Sequence, residues 1–219
     1  MGEQSNPHQP RDNTQEKLIH AGIQLFGELG YKATTTRMIA DAAEANIGSI
    51  AYYFDNKHGL YLAAARYIAG QLRQRLRLDE AIMANDAGGE PDRQTAMAAL
   101  QDMTRHMVKV FTEDDECRQW LLFVMREQVN PTEAFDILHA QAFGTVQAIL
   151  STLIAILTGR SRDDRRVIVE THTLVGQIVF FLICREPLLR RLGIEALDDT
   201  VIAIIEDVIA SHLRVYEAD

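Results

Sequence analysis

Apolar side chains return every three or four residues through most of this chain, and little interrupts them. Leu18, Ala21, Gly22, Leu25, Phe26 and Leu29 trace one such face, opened by Asn13-x-x-Glu16 in capping-box form and closed by Gly30. A period near 3.6 lines up one face of an α-helix and scatters residues over both faces of a strand. Only five prolines and thirteen glycines punctuate the 219 residues. The predicted class is therefore all-α, with about nine helices: a short N-terminal trio, then a larger helical region. A second helix is expected over 36–43, with threonines 34–36 as cap oxygens, and a third from Asn46 to about Tyr53. One long helix then runs from Lys57 to about Met83. The clearest loop is 84–92 (ANDAGGEPD). Five helices follow, near 92–112, 115–129, 131–158, 163–190 and 198–216. Pro131 and Glu133 open the third of these and Gly159 ends it.

With 47% apolar and 24% charged residues the chain falls in the globular range. Residues 1–13 are polar, which argues against a secretory leader, and the most apolar run, Leu174–Cys184, is too short to span a bilayer. The expectation is a soluble, cytoplasmic protein with no membrane association. Cys117 and Cys184 form no CxxC pair, so neither zinc nor a disulfide framework is signalled. The formal charge of −9 is unevenly spread. Residues 1–80 hold nine Lys/Arg against nine Asp/Glu, and 81–219 hold thirteen against twenty-two. Composition alone does not point to nucleic acid, which usually leaves a basic footprint.

The order of elements does. Two short helices joined by a tight turn, with Ile39, Ala42, Ile47 and Ile50 inward, make a helix-turn-helix. Residues 30–60, GYKATTTRMIADAAEANIGSIAYYFDNKHGL, resemble the signature of TetR-family regulators: Gly30, Tyr31, Thr34, Thr35, Ile39, Ala40, Ala43, Gly48, Ile50, Tyr53, Phe54, Lys57 and Leu60 all fall in register. Glu44 stands where that pattern has a turn glycine, Ala45-Asn46 replaces Val-Ser, and Ala51 replaces a tyrosine. If Glu44 takes positive φ, the cost is about 1–2 kcal/mol. Arg126-Glu127-Gln128 with Pro131-Thr132, His139, and Thr171–Leu174 with Gly176 resemble the narrower CecR-like (YbiH) group of that family.

The resemblance implies a flexible polar arm over 1–12, a DNA-binding helix-turn-helix domain over 13–56, a connecting helix over 57–83, and a ligand-binding and dimerisation domain over 84–219. It implies a DNA-binding transcriptional regulator, a repressor released by a small molecule, and not an enzyme. Ile47, Gly48 and Ser49 are slender enough to lead a recognition helix into the major groove. Tyr52 and Tyr53 offer phenols to phosphate. Thr34, Thr35 and Thr36 lie at a helix N-terminus that favours an anion. Arg37 is the candidate for base readout and Lys57 for a phosphate clamp.

Leu174–Cys184 is apolar all round, and the last helix has two apolar stripes, Val201, Ile204, Val208 and Ile202, Ile205, Ile209. A helix of that kind needs partners on both sides, which suits a homodimer on a palindromic operator. For a small apolar or amphipathic effector, the expected lining is Met103, Met107, Trp120, Phe123, His139, His172 and Phe180. No cofactor is expected. His106, His139 and His172 lack metal-ligand spacing, and no ExxH pair, nucleophile elbow or glycine-rich phosphate loop supports an enzyme. The competing reading is an interaction or ligand-binding protein that keeps the fold without specific DNA affinity.

Overall fold

The computed structural model describes residues 9–87 and 91–217, by backbone alone at 9–12 and 84–87; most of the expected polar arm falls outside them. The helices are α1 (Gln9–Leu29), α2 (Thr36–Ala42), α3 (Gly48–Phe54), α4 (Lys57–Arg75), α5 (Leu78–Ala87), α6 (Arg93–Glu113), α7 (Asp115–Val129), α8 (Glu133–Leu138), α9 (Gly144–Thr158), α10 (Arg165–Ile183), α11 (Arg185–Leu192) and α12 (Asp199–Leu213). There is no strand among the described residues. A π turn over His139–Phe143 fuses α8 and α9 into one helix, so the described helices number eleven.

Several boundaries differ from the sequence reading, each for a local reason. The first helix begins at Gln9, not Asn13; Pro10 lies in its first turn, where a missing N–H costs nothing. The helix expected over 57–83 stops at Arg75 and restarts at Leu78, with Arg77 at φ +50. That break buries both Leu76 and Leu78, which a straight helix would place on different faces. The expected opening at Pro131 moves on to Thr132, which caps α8, its hydroxyl accepting from the Ala134 amide at 3.2 Å. The span expected over 163–190 breaks at Cys184. Pro187 explains it: it has no N–H for the Ile183 carbonyl, and its ring collides with that group.

The described chain divides into two compact units. One holds residues up to Gly70 together with Gln119–His139; the other holds Gln71–Arg118 and the chain from Ala140 onward. In the second, α6 packs against α9, α10 and α12, burying Leu100, Met107, Leu150, Ile154, Ile178 and Ile205. The two stripes of α12 separate: Ile202, Ile205 and Ile209 are buried, Ile204 and Val208 exposed. On α10, Ile168, Val169, Phe180 and Ile183 are exposed. By length and composition alone, the 133–158 helix and α10 are apolar enough to cross a membrane, whereas the sequence reading had judged the shorter run Leu174–Cys184 insufficient.

Candidate nucleic-acid interface

The first unit is built around an aromatic cluster. Phe26 on α1 and Tyr61 on α4 meet edge to face with ring centres 4.9 Å apart, Tyr31 lies 5.1 Å from Tyr61, and Phe123 on α7 lies 4.9 Å from it. The Tyr61 hydroxyl donates to the Glu127 carboxylate, which is itself buried. Burial, reinforced by that hydrogen bond, holds the phenol well above its usual pKa. The other oxygen of Glu127 accepts from the amide (3.0 Å) and hydroxyl (2.8 Å) of Thr132. Arg126 reaches the opposite way, donating to the carbonyls of Gly27 (2.6 Å) and Glu28 (2.8 Å) and so satisfying the C-terminal end of α1. These adjacent residues were singled out in the sequence as one motif; they hold two different parts of the unit.

On this base stands the helix-turn-helix. Thr35 is the N-cap of α2, its hydroxyl accepting from the Met38 amide at 3.2 Å. The turn after α2 closes in Schellman form: the Ala45 amide donates to the Ala40 carbonyl (2.9 Å) and the Glu44 amide to that of Asp41 (3.2 Å), with Glu44 at φ +51. Glu44 thus adopts the strained conformation that its position implied. The Asn46 side chain accepts from the Gly48 amide at 2.8 Å and starts α3. Asn56 does the same for α4 through the Gly59 amide at 3.0 Å. A Cβ at residue 59 would lie 1.9 Å from the Phe54 carbonyl oxygen; only glycine fits there. The sequence motif contained this glycine without revealing its purpose.

The outer face of α3 is bare. Ile47, Gly48, Ala51 and Tyr52 are exposed, Tyr52 to 72%, while Ile50 and Phe54 are buried. Ser49 and Tyr53 are half-buried, and the Tyr52 and Tyr53 rings meet edge to face at 4.9 Å. Arg37 projects from α2 with 84% of its side chain exposed and lies 4.0 Å from the Asp41 carboxylate. At that exposure such a pair holds it weakly.

Two expected contact residues are corrected. Thr34 is fully buried, and its hydroxyl is shared between the Leu25 (3.0 Å) and Gly30 (2.9 Å) carbonyls; it knits α1 to the following turn and has nothing left for phosphate. The Lys57 ammonium donates to the Tyr31 and Thr34 carbonyls, both at 2.9 Å, and sits 4.3 Å from the centre of the Tyr31 ring. It is a pin inside the unit rather than a free clamp.

The expected effector residues fall in both units. Trp120 and Phe123 are buried in the first unit and Met107 in the second. His139 is exposed beside Phe135, and Phe180 is exposed on α10. Met103 borders a groove of about 440 Å³ with Arg77, His106 and Lys109. His172 borders a groove of about 580 Å³ with Gln147, Ser151, Arg162 and Ile168.

Comparison with known proteins decides the family. The profile of "Bacterial regulatory proteins, tetR family" matches residues 18–64, and that of "HTH-type transcriptional dual regulator CecR, C-terminal domain" matches 96–218. The HTH-type transcriptional dual regulator CecR of Shigella flexneri is 34% identical over 206 residues, covering 92% of this chain and 90% of its own. The chain belongs to the TetR family. Its C-terminal region is of the CecR kind, and it is a DNA-binding transcriptional regulator. Solved TetR-like structures share the fold. AibR in complex with isovaleryl coenzyme A and operator DNA has a TM-score of 0.62 at 14% identity, covering 91% of this chain and 97% of that one. A transcriptional regulator from Pseudomonas aeruginosa PAO1 also has 0.62, at 17% identity, covering 95% and 96%.

Proposed function

We propose that this TetR-family regulator is a cytoplasmic homodimer that grips a palindromic operator and is released from it by a small amphipathic effector. The observation carrying the reading is the bare outer face of α3. Ile47, Gly48, Ser49 and Tyr52 enter the major groove, Tyr53 and the α2 start at Thr35 and Thr36 meet phosphates, and Arg37 reads a base edge. Division of labour follows the chain: residues 13–56 read DNA, the helix from Lys57 connects, and the region from 84 onward binds effector and partner. Exposed Val169 and Phe180 on α10, with Ile204 and Val208 on α12, supply the dimer face. Gly176 supports it: a mid-helix glycine costs about 1 kcal/mol, and among the described residues no atom beyond its own helix backbone and chain neighbours lies within 4 Å of its would-be Cβ, which leaves room for a partner helix. The effector reading draws on AibR, whose structure holds a ligand and operator together, with Met103, Met107, Trp120, Phe123, His139, His172 and Phe180 as the candidates on this chain.

The test is binding to the DNA upstream of its own gene across a salt series. Sequence-specific binding that falls steeply with salt is expected, on half-sites centred about 34–36 Å or a multiple apart. Arg37→Ala should cost about 1–3 kcal/mol and relax preference at one position. Binding that ignores sequence would favour the reading of a fold retained without operator recognition.

A further inference from the structure

The chain passes between its two units three times, each time inside a helix: α4 at Gly70–Gln71, α7 at Arg118–Gln119, and the π turn at His139–Ala140. The second-unit end of each passage is tied to the last turn of α4. Arg75 donates through Nε to Asp114 Oδ2 at 2.6 Å and through its two terminal nitrogens to Gln71 and Glu116. Asp114 Oδ1 meanwhile accepts from the Glu116 (2.8 Å) and Cys117 (3.1 Å) amides and so caps α7. One carboxylate therefore holds the end of α4 and the start of α7 together. Arg73, one turn-face away, pairs with Asp79 at 2.8 Å and donates to the Gln141 carbonyl inside the π turn at 3.2 Å. His106, from the central helix α6, donates to the Arg75 carbonyl at 2.6 Å.

We infer that Arg73 and Arg75 are positioning residues that bind the second-unit ends of all three passages into one joint, anchored on α6, through which the second unit acts on the DNA-reading unit. This rests on the reading of the second unit as the effector-responsive part. A plain helix-capping role is the alternative, since cations at a helix C-terminus stabilise it anyway. The two differ in reach. Capping is felt only where each arginine touches. A joint is felt at all three ends whichever arginine is removed.

Hydrogen exchange on the full chain separates them. In the DNA-free protein, Arg75→Met should speed exchange about tenfold or more over 112–118, the loss expected of charge-assisted hydrogen bonds, and also over 138–144, where the hydrogen bond to Gln141 comes from Arg73. Arg73→Met should reciprocate at 112–118. Acceleration confined to the touched segment overturns the joint. If Arg75→Met fails to fold, Arg73→Met alone still decides. A second arm adds a duplex selected from random DNA by the wild type. The duplex should slow exchange at 112–118 and 138–144 in wild type but not in Arg75→Met, and slowing limited to the first unit in wild type overturns transmission. Should no duplex be selected, the operator reading fails, while the DNA-free arm still answers whether the three ends move as one.

Discussion

Lys57 and Arg37 look interchangeable in a motif scan, both being cations near helix starts, yet their surroundings give them opposite work. Lys57 uses its ammonium on two carbonyls and a ring, so Lys57→Met should lower stability by about 1–3 kcal/mol. Arg37 is almost wholly solvated, so Arg37→Ala should leave stability within about 0.5 kcal/mol while weakening DNA binding. Urea denaturation run beside DNA-binding anisotropy checks the pair, and an unchanged urea midpoint for Lys57→Met would return that residue to the phosphate-clamp role. Cys117 carries a pH consequence. Burial, with Asp114 adding to it, pushes the thiol up from its usual 9.0 to about 12. A raised folded pKa means that the unfolded chain releases the proton first. The contribution is therefore intact below pH about 9 and is lost as pH climbs towards about 12. Stability measured over that range should fall less steeply in Cys117→Ala than in the parent protein.

At the scale of elements, the helix-turn-helix holds strain where its relatives' pattern has glycine. Glu44 closes α2 in the left-handed region. Glu44→Gly should relieve about 1–2 kcal/mol of strain, offset in part by the greater entropy that glycine loses on folding. A net gain of about 0.5–1 kcal/mol is expected as a higher melting temperature, and a lower one would mean that the glutamate side chain itself stabilises the turn. The π turn has a different cause. Ala134, Leu138, Ala142 and Val146 are all buried, a strict spacing of four that drifts about 40° per step around an ordinary 3.6-residue helix. The wider turn at 139–143 takes up part of that drift.

For the whole molecule, the proposed dimer is tested on the exposed apolar residues of α10 and α12. Phe180→Asp or Ile204→Asp should yield folded monomer by sedimentation with an unchanged helical spectrum. Charged residues at Ile178 or Ile205 should instead unfold the protein, since both are buried within their own subunit. Dimer surviving both surface substitutions would move the interface elsewhere. The helical class, most helix positions, the helix-turn-helix and the family were legible from the residues alone, because those depend on period, caps and turn residues that act over a few neighbours. The residues also separated the two stripes of α12. The three-dimensional packing was needed to show which stripe faces inward, that α4 breaks at Leu76–Arg77 with no glycine or proline to announce it, and that Thr34 and Lys57 spend their polar atoms inside the first unit. It also decided that Gln119–His139 share a compact unit with the N-terminal helices, through Arg126 on the end of α1 and Glu127 beneath Tyr61. The reason is range: a cap or a period is written in adjacent residues, whereas which side chain fills a given space depends on partners some hundred positions away.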